Sequence, residues 1–228
     1  MKYVIGLFNP AVLFLLWFLG KRLGEAGPTW VGIRTAATTA SRESWYRAHA
    51  EGRPLVGLAA AWALLFGTLV AAPVPWALPL AIIMQVVVFV WLSVASSRFA
   101  RRKPAPDRGI LGELVSDQQL RWGLAFLSFV FFALAVSAPF IAELGPNAWV
   151  GNRTERTMRD PALWTLVHHE AVVPTALAGA SYLLAWLAVR EGLADGWAFR
   201  PAAIHFVAGF LVPCLVWTLQ AAFLVVHP

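Results

Sequence analysis

Cysteine and charge are both scarce in this 228-residue chain, and each shortage excludes a class of protein. The single cysteine, Cys214, excludes an intramolecular disulfide and a Cys-x-x-Cys metal motif. Only 13% of the residues are charged and 59% are hydrophobic, which is too little polar surface for a soluble domain. We therefore expect an integral membrane protein.

Catalytic motifs of specific spacing are missing as well. The sequence has no His-Glu-x-x-His zinc motif and no Gly-x-Ser-x-Gly nucleophile elbow, so we expect neither an enzyme nor a cofactor. The net charge of +6 does not indicate nucleic-acid binding. The basic residues flank apolar runs, where they would face anionic lipid headgroups.

Six apolar runs are long enough to cross a membrane. About 20 helical residues span the hydrocarbon layer, and a helix satisfies its own backbone there. The expected spans are 4–19, 54–72, 76–96, 122–144, 171–189 and 202–226. No small-residue cleavage site follows the first run, so we expect a retained helix rather than a signal peptide. Residues 109–120 suit either a short interfacial helix or a loop.

Positive charge predicts how the chain is threaded. Basic residues cluster after the first span, between Lys21 and Arg53, and after the third span, between Arg98 and Arg108. With six spans both stretches lie on one side, and the positive-inside rule makes that side cytoplasmic. We expect a bacterial cytoplasmic-membrane protein with both termini outside.

A polar segment occurs twice at a constant offset. "WVGIRTAATTASRESWYRAH" begins at Trp30 and "WVGNRTERTMRDPALWTLVH" begins at Trp149, an offset of 119 without a gap. The matched candidate site residues are Trp30, Gly32, Arg34, Thr35, Trp45 and His49 in the first copy, and Trp149, Gly151, Arg153, Thr154, Trp164 and His168 in the second. Thr38 also pairs with Thr157, and Glu51 with Glu170.

Each copy follows one span and precedes two. Three crossings per unit is an odd number, so we predict two inverted three-helix repeats, a plan frequent in secondary transporters. The units are residues 1–108, which end in a basic cytoplasmic linker, and residues 109–228. Each is expected to carry a short amphipathic interfacial helix, capped by Ser41 in one copy and by Asp160, followed by Pro161, in the other.

The polar residues allow a binding site and a purely structural role. Arg34 and Arg153 present donor forks suited to a carboxylate or phosphate, and each Trp–His pair shares a helix face. A zinc site from His49, His168 and His169 is a weaker alternative, because it needs the two copies to meet and has no tight ligand spacing. His205 has no counterpart and is expected to be a buried histidine with hydrogen-bonded ring nitrogens.

The Gly-x-Arg-Thr, Trp and His pattern resembles the signature of the SdpI family of bacterial membrane proteins. That family is named for an immunity protein that protects a sporulating bacterium against its own sporulation-delaying peptide toxin. The resemblance implies that the motif positions in both tandem copies are the family's signature positions. It also implies a role in immunity or resistance to a membrane-active peptide, or in sensing it.

Three hypotheses follow. The first is the immunity or resistance protein. The second is an inverted-repeat transporter or lipid-handling protein that grips an anionic small molecule through Arg34 and Arg153. The third is an intramembrane enzyme that uses His49 and His168. Expected partners are membrane lipids, with a peptide toxin or an anionic small molecule and no nucleic acid, and the oligomeric state stays open.

Overall fold

The computed structural model of the chain describes residues 2–101, 115–149, 151–192 and 198–224. Six helices in these residues are long and apolar enough to cross a membrane, as the sequence predicts. They are α1 (Lys2–Ala26), α3 (Arg53–Gly67, extended by a 3₁₀ turn over Thr68–Ala71), α4 (Ala77–Arg101), α5 (Asp117–Leu144), α7 (Pro161–Gly192) and α8 (Phe199–Phe223). The short helices are α2 (Arg42–Tyr46), continued by a π-helical turn over Arg47–Glu51, and α6 (Glu155–Arg159).

The second span of each predicted unit forms the centre of the bundle. α3 packs against α1, α4 and α7, and α7 packs against α5, α8 and α3. In the most apolar window of each span, 89% of the residues are buried for the second span and 28% for α1, α4 and α5. The outer helices therefore turn a large apolar surface outward, as expected where lipid is the solvent.

The two central helices run antiparallel. Gly57, in the second turn of α3, lies against Ala188, near the end of α7. The 3₁₀ turn after α3 also packs against α7, which ends only four residues beyond Ala188. If α3 ran parallel to α7, the 3₁₀ turn would lie beyond the end of α7 and could not contact it. Because the turn does contact α7, α3 runs in the opposite direction to α7.

The expected separate interfacial helix is wrong for the second copy. Trp164 and His168 lie in the first turns of α7, which continues through Gly192 without a break. In the first copy Gly52 and Pro54, residues that disfavour a helix interior, separate the π-helical turn from the body of α3. The matching positions 171 and 173 are Ala and Val, and α7 continues through this region with Pro174 in its interior.

Both predicted helix caps are confirmed. The Ser41 hydroxyl accepts the Ser44 N–H at 3.0 Å, and the Asp160 carboxylate accepts the Ala162 and Leu163 N–H groups at 3.0 Å. α5 begins after Ser116, which forms a reciprocal capping box with Gln119. Of the predicted segment 109–120, residues 109–114 lie outside the described residues, and residues 117–120 form the start of α5.

Candidate functional site

In both copies the histidine holds the Gly-x-Arg-Thr loop. The backbone N–H of Ile33 donates to Nε2 of His49 at 2.8 Å, and the N–H of Asn152 donates to Nε2 of His168 at 2.8 Å. The other ring nitrogen lies 3.0 Å from the Trp45 carbonyl oxygen in the first copy and 2.7 Å from the Trp164 carbonyl oxygen in the second. Because Nε2 accepts, Nδ1 carries the proton and donates to that carbonyl.

These contacts require a neutral imidazole. An imidazolium would have a proton on both nitrogens and could not accept the loop N–H. His49 is only 3% exposed, and its burial lowers the pKa of the imidazole below the ordinary 6.5, although the hydrogen bond to Trp45 opposes this. The lowered pKa and the accepted N–H of Ile33 both favour the neutral imidazole at pH 7, so His49 serves as a structural hydrogen-bond acceptor.

The tryptophan of each copy ties the loop to the first helix of its unit. The Trp45 ring stacks on His49 with centroids 3.9 Å apart, and the Trp164 ring lies 4.3 Å from His168. The indole N–H of Trp45 donates to the Leu23 carbonyl in α1 at 2.6 Å. That of Trp164 donates to the Ile141 carbonyl in α5 at 3.0 Å. Both indoles are fully buried.

A pair of threonines, of which the second is fully buried, closes the loop in each copy. The Thr38 hydroxyl accepts the Thr35 N–H at 2.9 Å and donates to the Ile33 carbonyl at 2.7 Å. Thr157 makes the same bonds to Thr154 and Asn152, at 3.0 and 2.6 Å. The sequence repeat includes Thr38 and Thr157, but the predicted site omits them, although their matched spacing was a usable signal.

Each loop also contacts the third helix of its unit. The hydroxyls of Ser97 in α4 and Thr35 lie 2.9 Å apart, and the Asn152 amide donates to the Trp217 carbonyl in α8 at 2.9 Å. One loop therefore joins three helices at one end of the bundle. Ser97 and Trp217 have no motif in the sequence that could reveal this contact.

The two motif glycines are required by both backbone and space. Gly32 has φ +127° and Gly151 has φ +106°, where residues with a Cβ are strained. A Cβ on Gly32 would lie 2.6 Å from Nε2 of His49, and one on Gly151 would overlap Nε2 of His168. The loop can approach the imidazole only through a glycine.

The remaining predicted site residues lie on the surface. Trp30 is 93% exposed and Trp149 is 89% exposed. The Arg34 guanidinium lies 5.5 Å from the Trp30 ring centroid and donates to the Thr29 carbonyl, and Arg153 is also exposed. Buried members of the motif thus form a scaffold, and the exposed Trp and Arg are free to meet a partner.

The structure does not bring the two copies together. The first copy lies at the start of α3, beside the end of α7, and the second lies at the start of α7. Trp164 and Ala188 are 24 residues apart (188 − 164), about 36 Å along a helix. Arg34 and Arg153 therefore cannot grip one small molecule. His49 cannot share a metal ion with His168 or His169, and the described residues contain no group of three metal-ligating side chains.

His205 is buried, as expected, but the expected hydrogen bonding is wrong, because neither ring nitrogen has a hydrogen-bond partner among the described residues. It is 0% exposed, and the rings of Trp62 and Tyr182 approach it edge-on, with centroids 5.5 and 5.6 Å away. Cys214 is a free, partly buried thiol in α8. Neither residue contacts the repeated motif through a hydrogen bond in the described part of the chain.

Fold and site together define an α-helical, multi-pass membrane protein whose helices are joined by a Gly-x-Arg-Thr loop at each end. Residues 28–96 match the SdpI/YfhL protein family, which confirms the resemblance predicted from the sequence and covers the first copy. Comparisons with curated proteins and with solved structures gave no match. The second copy lies outside the matched residues, and its equivalence rests on the 119-residue offset and the matching hydrogen bonds.

Proposed function

We propose that this protein gives a bacterium immunity or resistance to a membrane-active peptide toxin, directly or by sensing the toxin. The observation that carries the proposal is the match of residues 28–96 to the SdpI family. The family resemblance supplies the immunity role, and the six long apolar helices of the described residues are consistent with a protein that acts in the membrane.

The division of the motif into scaffold and exposed parts supports this function. Trp30 is 93% exposed, so its ring takes no part in the packing of the described helices. Its ring and the nearby Arg34 offer an aromatic and a cationic group side by side at the end of the bundle. Amphipathic aromatic residues at the membrane–water interface can contact both lipid headgroups and membrane-bound peptides. We infer that Trp30 and Arg34 contact the toxin.

We further propose that residues 1–108 and 109–228 are inverted repeats. The matching loops, the antiparallel α3 and α7 and the placement of the loops at opposite ends all support this arrangement. We place the first loop on the cytoplasmic side of a bacterial cytoplasmic membrane and both termini outside, on the basis of the positive charge near the first loop.

A toxin challenge tests the function. Cells sensitive to the sporulation-delaying peptide would be compared with and without the full chain, at equal protein abundance in the membrane. We expect the chain to raise survival, and Trp30→Ala and Arg34→Ala to remove that protection without lowering abundance. Trp122→Ala is the matched control, because Trp122 is also exposed, at 68%, but lies outside the motif. Equal killing with and without the chain would refute an immunity role against this toxin.

Transport of an anionic molecule gains no support from the geometry. That hypothesis placed Arg34 and Arg153 in one site, and the structure separates them by most of the length of α7. The hypothesis of an intramembrane enzyme also gains no support, because His49 and His168 each accept a hydrogen bond from their own loop.

A further inference from the structure

We propose that the first unit binds the phosphate of an anionic membrane lipid in a groove at the end of α4, which we call the α4 groove. The groove has a volume of about 290 Å³ and opens to the surface. It is lined by Thr35, Ser93, Val94, Ser97, Arg98 and Arg101. Two guanidinium groups beside several hydroxyls are the donor set that a phosphate monoanion or diester accepts.

The charge balance of the α4 groove favours an anion. Arg98 and Arg101 are exposed, and neither forms an ion pair in the part of the chain that the structure describes. The carbonyl end of α4 would repel a phosphate, but Arg47 donates to the Arg101 carbonyl at 3.5 Å and offsets that dipole. The carboxylate of Glu43 pairs with Arg47 at 2.9 Å rather than with Arg98 or Arg101.

The helix that carries the groove also offers a surface for acyl chains. Exposed apolar residues follow one face of α4 toward the groove: Ile83, Val86, Val87, Val90 and Val94. Arg98 continues this face one turn after Val94, and Arg101 follows three residues later. A lipid with its chains along this face therefore places its phosphate at the arginines. A soluble phosphate would gain nothing from the apolar part, so we commit to a lipid as the occupant.

The second unit has no arginines at the positions that correspond to Arg98 and Arg101 of the α4 groove. At the offset of 119, Ser93, Ser97, Arg98 and Arg101 correspond to Val212, Val216, Trp217 and Gln220. This set contains no cation. The loop scaffold is common to both copies, so the scaffold does not require these arginines. Their presence in one unit only indicates a role other than holding the helices together.

Lipid titration of the full chain tests the proposal. Purified protein in a neutral detergent would be titrated with phosphatidylglycerol, and bound lipid counted by native mass spectrometry. We expect one tightly bound phosphatidylglycerol, with about 30-fold weaker binding in the double variant Arg98→Gln/Arg101→Gln, since two lipid-facing cations are lost. Arg98→Lys/Arg101→Lys should keep part of the affinity. Phosphatidylcholine, which has no net charge, should bind more weakly, and inorganic phosphate should not displace the lipid.

The matched control is Lys21→Gln/Arg22→Gln. It removes the same charge from exposed residues at the same end of the bundle but outside the groove. We expect its affinity to stay within threefold of the wild type. Equal losses in both double variants would overturn the site in favour of diffuse surface charge. Unchanged binding in Arg98→Gln/Arg101→Gln, or displacement by inorganic phosphate, would also overturn it. The toxin-protection test is independent of every one of these results.

Discussion

Replacement of Gly32 by alanine tests the loop scaffold most sharply. The backbone at Gly32 has φ +127°, and a Cβ would lie 2.6 Å from Nε2 of His49 and 2.9 Å from the Trp45 ring. The positive φ alone costs a residue with a Cβ about 1–3 kcal/mol. Displacement of the imidazole also leaves a buried hydrogen-bonding group unpaired, at a cost of about 1–3 kcal/mol. We expect Gly32→Ala to lower the free energy of unfolding by about 3 kcal/mol.

Gly145→Ala separates these two contributions. Gly145 also has a positive φ, +70°, but nothing lies within 4 Å of a Cβ built there. This variant should lose only the backbone contribution of about 1–3 kcal/mol. Unfolding would be followed by circular dichroism in mixed micelles at increasing denaturing detergent. If Gly32→Ala were no more destabilising than Gly145→Ala, the close contact between loop and imidazole would not be what holds the motif.

Three further predictions concern the same scaffold. Because the copies lie at opposite ends of the bundle, the unfolding free energies lost in His49→Ala and His168→Ala should add within about 0.5 kcal/mol in the double variant, and a larger coupling would contradict that separation. Because the pKa of His49 is lowered in the folded protein, the unfolded chain binds a proton at this imidazole more readily. The free energy of unfolding should therefore fall as the pH drops below 6.5, and it should fall less steeply in His49→Asn than in the wild type. Thr38→Val should lower the free energy of unfolding by about 1–3 kcal/mol, because it leaves the Thr35 N–H unpaired. Thr165→Val, which removes an exposed hydroxyl, should lower it by less than about 0.5 kcal/mol. Similar losses in the two variants would refute the role of Thr38.

The sequence predicted the six spans because lipid imposes a simple length and composition rule. It also predicted the caps at Ser41 and Asp160, since these depend on local chemistry. It could not predict that Trp164 and His168 belong to a long α7. The copies differ just after their shared motif, where Ala171 corresponds to Gly52, and α7 accommodates Pro174 in its interior, which the motif itself does not reveal.

The sequence predicted which residues form the site better than it predicted what those residues do. Repetition identified the residues, but a buried His49 that accepts a backbone N–H and a metal-binding histidine look the same in one sequence. The distinction depends on burial and on which groups lie nearby. Likewise, only the packing of α3 against α7 shows that the two arginines of the motif lie far apart.

Accessibility of single engineered cysteines tests the central claim that the two loops stand at opposite ends of a membrane-spanning bundle. In a Cys214→Ala background, cysteine would replace Ala40 or Arg159, both exposed and each in a different copy. An impermeant maleimide added to intact spheroplasts should modify the cysteine at 159 and not the one at 40, which should react only after the membrane is opened. Modification of both positions from the same side would contradict the account.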